Sequence, residues 1–307
     1  MAVNTPSEEQ WEPLSLSLAP LIASYSLSTP ESLQIEIDQA THRLNLLNFF
    51  HIQPSSSILE VGCGQGTCTV VLGQATGSGG HVDAIDPAPL DYGAPTTLGQ
   101  AQEHIIQGSM GDRVKFWQRQ LEDFLVETGE KKWDYAVLVH CLWYLDGEET
   151  LARILKALKG RVGKVCIAEY SMKASEPAAV PHVLAALTRA TLEAQKSESD
   201  ANIRCLITPP DIKRIAEQVG WKVERESHIV PDENLQDGSW EVGDVKGEDF
   251  LRDIEEDVKD NRIKVLLRSG REGVIAAVKK LNGEKVRTMD VWAATLDEKV
   301  ERLSSIK

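Results

Sequence analysis

Apolar residues along this chain follow two alternating rhythms. Short β-branched and aliphatic runs fall at 57–61, 81–86, 114–118, 135–140 and 164–170, each of strand length and too apolar to leave one face in water. Helical segments separate them, the clearest spanning 148–158. This alternation predicts a parallel sheet with helices on both faces, an α/β fold. Upstream, the first 30 or so residues are polar with an apolar patch at 14–22, which predicts a mobile start and then a short helix. A longer helix is predicted over 31–50, with Ile35, Ile37, Leu44, Leu46, Leu47 and Phe50 at roughly helical spacing and Pro54 just beyond it.

After the fifth strand the alternation breaks. A helix is predicted over 181–195, with Pro181 at its start and Val183, Leu184, Leu187, Ala190 and Thr191 on one face. A second, 210–219, leads into a strand at 221–230. Two more helices are expected at 248–259 and 263–281 before a last strand at 288–295. The first of these is strongly acidic but carries Phe250, Leu251, Ile254 and Val258 at helical spacing, the pattern of a solvated face over a packed one. No internal repeat or low-complexity segment is visible.

At 307 residues the chain is long enough for one elaborated domain. A formal net charge of −14 without a basic cluster argues against a nucleic-acid partner, because phosphate binding draws on clustered Lys and Arg. Cys63, Cys68, Cys141, Cys166 and Cys205 form an odd set with no C-x-x-C pair, as expected of free thiols in a reducing compartment. The acidic start MAVNTPSEEQWEPL lacks the features of a signal peptide, and no run approaches the ~20 apolar residues of a membrane span. A cytosolic address and no membrane partner follow as expectations. The seven histidines are scattered and form no cluster at ligand spacing, so no metal site is expected.

The most informative segment is ILEVGCGQGT at 58–67. An apolar strand ends in Glu60, and Gly62, Gly64 and Gly66 follow at alternate positions. Glycine in such a turn allows positive φ and lets a bulky ligand approach the backbone. The following helix presents free N–H groups. A dinucleotide-binding turn would read G-x-G-x-x-G, whereas here the spacing is G-x-G-x-G.

This segment resembles motif I of the class I S-adenosylmethionine-dependent methyltransferases, and the resemblance extends over 57–170. It implies a Rossmann-like, seven-stranded, mostly parallel sheet with an antiparallel final strand. It also implies S-adenosyl-L-methionine as cofactor, leaving as S-adenosyl-L-homocysteine. Cofactor contacts then fall on Glu60, Gly62, Cys63, Gly64 and Gly66. In HVDAIDPAPL the resemblance puts Asp86 at the ribose, with Pro87 beside it; a carboxylate suits two hydroxyls, although Asp86 also reads as a strand-end turn residue. At the adenine position of the family VKFWQRQLEDF offers Gln120 and Leu121 where an acid is common, with Glu122 or Asp123 as substitutes. WDYAVLVHCLWYL resembles the family's fourth-strand run and sets His140 at the carboxyl end of the strands, and LKGRVGKVCIAEYS resembles the fifth. The extended DPAPLDYGAPTTLGQAQ resembles those of fungal small-molecule methyltransferases.

Methyl transfer needs alignment rather than a covalent nucleophile, and a positioned His can remove a proton from the acceptor. His140 is the candidate for that role or for lining the cofactor pocket, with Tyr144 and Tyr170 nearby; the competing reading has His140 bonding the backbone beneath the cofactor. Trp143, Tyr144 and Trp240 are candidate aromatic walls, against the plainer reading of core packing. Glu169, at a strand end, is expected to face solvent, with orientation of the acceptor as the other reading. Residues 1–50 are expected to form a helical cap on a domain at 51–300, and 173–208 and 231–285 to form a lid. A covered site suits a small, largely apolar metabolite. A homodimer is a candidate assembly. The competing functions are a cofactor-binding or regulatory protein without transfer activity, a nicotinamide-dependent oxidoreductase, and a lyase or cyclase on the same fold.

Overall fold

The computed structural model describes residues 11–197, 199 and 201–299. Seven strands form one sheet in the order β3-β2-β1-β4-β5-β7-β6. They are β1 (Ser57–Val61), β2 (His81–Asp86), β3 (Val114–Gln118), β4 (Trp133–Val139), β5 (Val162–Tyr170), β6 (Trp221–Ile229) and β7 (Val291–Glu298). β1 pairs in parallel with β2 and β4, β2 with β3, and β4 with β5. β7 alone runs against its neighbours, inserted between β5 and β6. The order reverses at β1, so the loops leaving β1 and β4 splay apart and open a crevice at the carboxyl edge, where ligands bind in sheets of this kind.

Successive side chains on a strand point to opposite faces, and two cores result. Ile58, Val82, Val137, Cys166 and Val291 face α2 (Leu33–Phe50) and α3 (Thr67–Thr76). Leu59, Ile85, Leu138, Ile167 and Trp292 face α5 (Leu121–Glu127), α6 (Glu148–Ala157) and α8 (Pro209–Gln218). A third cluster joins α7 (Val180–Glu193) to α9 (Asp237–Lys246), α10 (Glu248–Asp257) and α11 (Asn261–Lys280) through Ala185, Leu192, Val242, Phe250, Ile254 and Leu267. The acidic α10 buries Phe250 and Ile254 as its spacing predicts. The apolar patch near the start becomes a turn of 3-10 helix, Leu16–Leu18, and α1, Ala19–Ala23. The first ten residues of the expected mobile start lie outside the described residues.

Strands β1, β2 and β3 have the expected boundaries, and other ends move for local reasons. β4 begins at Trp133 because Trp133 pairs with Val162. β7 begins three residues later than its apolar run suggests, because Thr288 accepts from Gly238 N and donates to Leu235 O. Asp290 is likewise held by Ser175. The segment ahead of β7 is therefore tied to α9 and to the loop after β5 instead of the sheet. α9 is not foreseen from sequence, since Gly238 and Gly243 weaken it as a helix. A Cβ at Gly238 would stand 2.5 Å from Arg287 O, so close packing requires the glycine.

Asp83, in the middle of β2 and 1% exposed, is the charged hub of the sheet. Trp133 Nε1 donates to its Oδ2 at 2.7 Å, Lys131 Nζ at 2.6 Å, and Trp117 Nε1 to its Oδ1 at 3.2 Å. Burial opposes the charge, but His81, Lys131 and Trp133 outweigh it and hold the carboxyl well below the usual range. A depressed pKa contributes stability that is present above pH ~4 and lost as the carboxylate is protonated. Asp83→Asn is expected to cost about 2–4 kcal/mol at pH 7, read as a lowered unfolding midpoint, with the difference from the wild type shrinking below pH 4.

Candidate functional site

Beyond β1 the chain turns through Gly62, Gly64 and Gly66 at φ +78°, +53° and +93°. A Cβ on Gly62 would meet Cys141 Cβ at 2.6 Å, and one on Gly66 would meet Cδ1 of Ile105 on α4 (Leu98–Gln107) at 2.7 Å. These two glycines let protein pack beneath the turn. Gly64 differs, because nothing lies within 4 Å of where its Cβ would be. The turn itself is held by hydrogen bonds. Gly62 N and Cys63 N donate to Ile85 O, Gly64 N donates to Asp86 Oδ2 at 2.8 Å, and Gln102 Nε2 donates to Gly64 O.

Asp86 is thus the pin between the ends of β1 and β2. Its Oδ1 accepts from Ala88 N at 2.9 Å, and each oxygen keeps a further lone pair for a ligand hydroxyl. Pro87 beside it is exposed. Cys63 is buried, and burial holds its thiol well above the usual range, so it is a packing residue with no nucleophilic character. Glu60 is 2% exposed and accepts from Thr69 Oγ1 at 2.5 Å. Burial raises its carboxyl to about 8, against the pull of Thr69, Cys68 and Arg43. A ligand ammonium here would restore its charge. Gln120 is exposed at the start of α5 and Leu121 is buried in the sheet core, while Glu122 is tied to Arg153 at 3.2 Å.

At the end of β4, His140 adopts φ +51°, a backbone conformation that is uncommon outside glycine and that turns its ring inward. Its Nε2 lies 2.9 Å from Nε2 of His42 on α2, and its Nδ1 3.5 Å from Glu169 Oε1. The ring stacks on Tyr170 at 4.5 Å. Tyr170 donates to Asp237 Oδ1 at 2.6 Å, and Gln39 Nε2 to Asp237 Oδ2 at 2.8 Å. Glu169 does not face solvent. It is 1% exposed, because β5 lies between β4 and β7, and it accepts from Leu142 N and Tyr170 N. The side chain of His140 bonds His42, not the backbone. Trp143 is buried, donates to Ile207 O and packs on Tyr170, whereas Tyr144 and Trp240 are 40% and 45% exposed at the rim. Burial, then Tyr92, Glu241, Glu169 and Asp237, hold the Tyr144 hydroxyl protonated.

Gln39, His42, Arg43, His182 and Asp237 join this site without having been singled out in the sequence. The first three stand at i, i+3 and i+4 on α2, so they share one face, and Gln39 and His42 are buried. Polar residues interrupting the core-facing stripe of a helix were the available signal. Arg43 Nε is buried without a hydrogen-bond partner. Among the described residues no group of His, Cys, Asp and Glu is arranged to hold a metal, and no helix is long and apolar enough to cross a membrane.

The family described as "Methyltransferase domain" matches residues 34–226, from α2 into β6. The chain belongs to this methyltransferase family. Methyltransferase phomM of Diaporthe leptostromiformis is 28% identical to it over 286 residues, covering 78% of this chain and 73% of that protein. The crystal structure of a cyclopropane-fatty-acyl-phospholipid synthase-like protein from Lactobacillus casei is 29% identical, with a TM-score of 0.77, over 92% of this chain and 100% of the other. The [4+2]-cyclase SpnF, at 12% identity and a TM-score of 0.50 over 85% of this chain and 83% of its own, shares the fold alone. The methyltransferase takes S-adenosylmethionine as cofactor, and its residues fit that group: an open backbone at Gly64, a carboxylate at Asp86 and a buried acid at Glu60.

A raised carboxyl pKa contributes stability that is complete below the unfolded value near 4.5 and is lost as pH rises through about 8. His182, lowered to about 4 by burial, has the opposite sign and is spent by pH 6.5. Between pH 6.5 and 8 the ligand-free protein should therefore lose about 2 kcal/mol through Glu60. Glu60→Gln should remove that part of the slope, measured as the difference between the two thermal unfolding midpoints across this window.

Proposed function

We propose that the methyltransferase transfers a methyl group to a small, largely apolar metabolite of secondary-metabolite type. The observation that carries this reading is the hydrogen-bonded cluster of buried His42 and Tyr170 with half-buried His140 and Asp237, drawn from the end of β4, from β5 and from α2 and α9. Residues 1–50 would serve as a helical cap on a methyltransferase domain at 51–300, with 173–208 and 231–285 as its lid. An enclosed site excludes water and suits an acceptor small enough to be surrounded. A net charge of −14 speaks against a nucleic-acid acceptor. The fungal relative, named a methyltransferase, supports the reaction type. Five cysteines that are all free support a reducing, cytosolic setting.

When bound, the cofactor would supply an electrophilic methyl carbon on a sulfonium sulfur, which keeps the carbon–sulfur electron pair as it leaves. Gly64 leaves the space for the cofactor, Asp86 would hold the ribose hydroxyls and Glu60 the ammonium. Pro87, Gln120 and Leu121 would border the adenosine. Arg43, whose charge acts on Glu60 and Cys68, would meet the carboxylate of the amino-acid tail. His140 takes up the proton that the acceptor loses. Glu169, 3.5 Å from its Nδ1, stabilises the imidazolium that results. Tyr144 at the rim orients the acceptor through its protonated hydroxyl.

Incubating the protein with methyl-labelled cofactor and a metabolite extract should yield a labelled product. His140→Ala should lower the labelling rate by at least about 100-fold and leave affinity for S-adenosylhomocysteine within about threefold by calorimetry. Equal losses in both measurements would refute the role of His140. A wild-type protein that binds the homocysteine product but labels nothing would favour a binding or regulatory protein without transfer activity.

A further inference from the structure

Burying two histidines in contact is costly unless the contact does something specific. His42 is 1% exposed, and burial followed by the charges of His140 and Arg43 holds it well below its usual pKa. The Nε2 atoms of the two rings are 2.9 Å apart, so one donates and the other accepts, and a single proton sits between them. The Nδ1 of each ring is buried without a hydrogen-bond partner. The pair therefore has two possible proton arrangements, and its surroundings distinguish them.

Glu169 Oε1 lies 3.5 Å from Nδ1 of His140. A bare nitrogen lone pair facing that carboxylate is repelled, whereas an N–H facing it is attracted. The favoured arrangement puts a proton on Nδ1 of His140 and leaves its Nε2 to accept from Nε2–H of His42. Nδ1 of His42 is then the one free lone pair of the couple. The other polar groups near the pair fit this polarity. Arg43, next along α2, opposes a resident charge on His42, while Tyr170 on β5 and His182 on α7 stay neutral. The carboxylate of Asp237 on α9 is already engaged by Tyr170 and Gln39.

We infer that His42 and His140 act as one proton acceptor, in which the substrate's proton enters at Nδ1 of His42 and the resulting charge rests on His140 beside Glu169. As Nδ1 of His42 gains the proton, its Nε2–H passes to Nε2 of His140. His42 ends neutral and His140 ends as an imidazolium. The electron pair left on the acceptor atom forms its bond to the methyl carbon, and the carbon–sulfur pair stays on sulfur. The weak basicity of His42 is no obstacle, because it passes the proton on. This rests on the reading of His140 as the place where the acceptor's proton ends, and it adds that His140 does not receive that proton directly.

The proton positions can be read without a substrate by nitrogen NMR on the full chain labelled at histidine, saturated with S-adenosylhomocysteine. Wild type should show His140 protonated at Nδ1 and His42 at Nε2, with scalar coupling between the two facing nitrogens. His42→Asn keeps a donor for His140 Nε2 but has no basic lone pair. It should preserve the His140 pattern and the affinity for S-adenosylhomocysteine within about threefold, yet lower label transfer to the metabolite extract by at least tenfold. His42→Leu should shift the His140 Nε2 resonance and leave that of His182 in place. Protonation of wild-type His42 at Nδ1, a His140 resonance indifferent to His42→Leu, or undiminished transfer by His42→Asn would each overturn the inference. A wild type with the assigned proton positions but no transfer would sink the methyl-acceptor reading instead.

Discussion

The whole arrangement depends on a stretch of backbone that carries no side chain where a ligand must approach. Gly62 and Gly66 are glycines because protein lies against them, and Gly64 because space does. The hydrogen bond from Gly64 N to Asp86 ties that bare turn to the end of the neighbouring strand. A carboxylate and an open amide plane are thereby fixed relative to each other before any ligand arrives. Preorganisation of this kind spares the cost of ordering a loop on binding.

The sheet order converts this local feature into a site. Because β4 lies on the other side of β1, the loop after β4 emerges across the crevice from Asp86, and it carries His140. The left-handed backbone of His140 and the burial of Glu169 are costs borne where chemistry is expected. Asp237 from α9 and Gln39 from α2 meet over Tyr170, so these two helices are joined to the end of β5 by hydrogen bonds.

What was legible in the sequence was what local periodicity dictates. β1, β2 and β3 end where their apolar runs end, and the cofactor turn announces itself by glycine spacing. What was not legible depends on contacts between residues far apart in the chain. α9 was hidden because Gly238 lowers helix propensity while packing against Arg287. Glu169 reads as a surface residue until β7, more than a hundred residues later, closes over β5. His42 and Arg43 interrupt the apolar stripe of α2, and only the packing of α2 on the sheet shows that their polar groups meet His140 and Gln39. In each case a tertiary contact overrides a local preference.

Cofactor binding at this turn requires the space beside Gly64 to belong to the cofactor. Calorimetric titration of S-adenosylhomocysteine into wild type and into Gly64→Val, with the unfolding midpoint of each, addresses it directly. A Cβ at this position has no protein atom within 4 Å, so the two proteins should unfold within a few degrees of each other, the φ of +53° costing about 1–2 kcal/mol. The wild type should bind, and the variant should lose at least about 100-fold in affinity. Equal affinity in the two proteins, or no binding to the wild type, would contradict it.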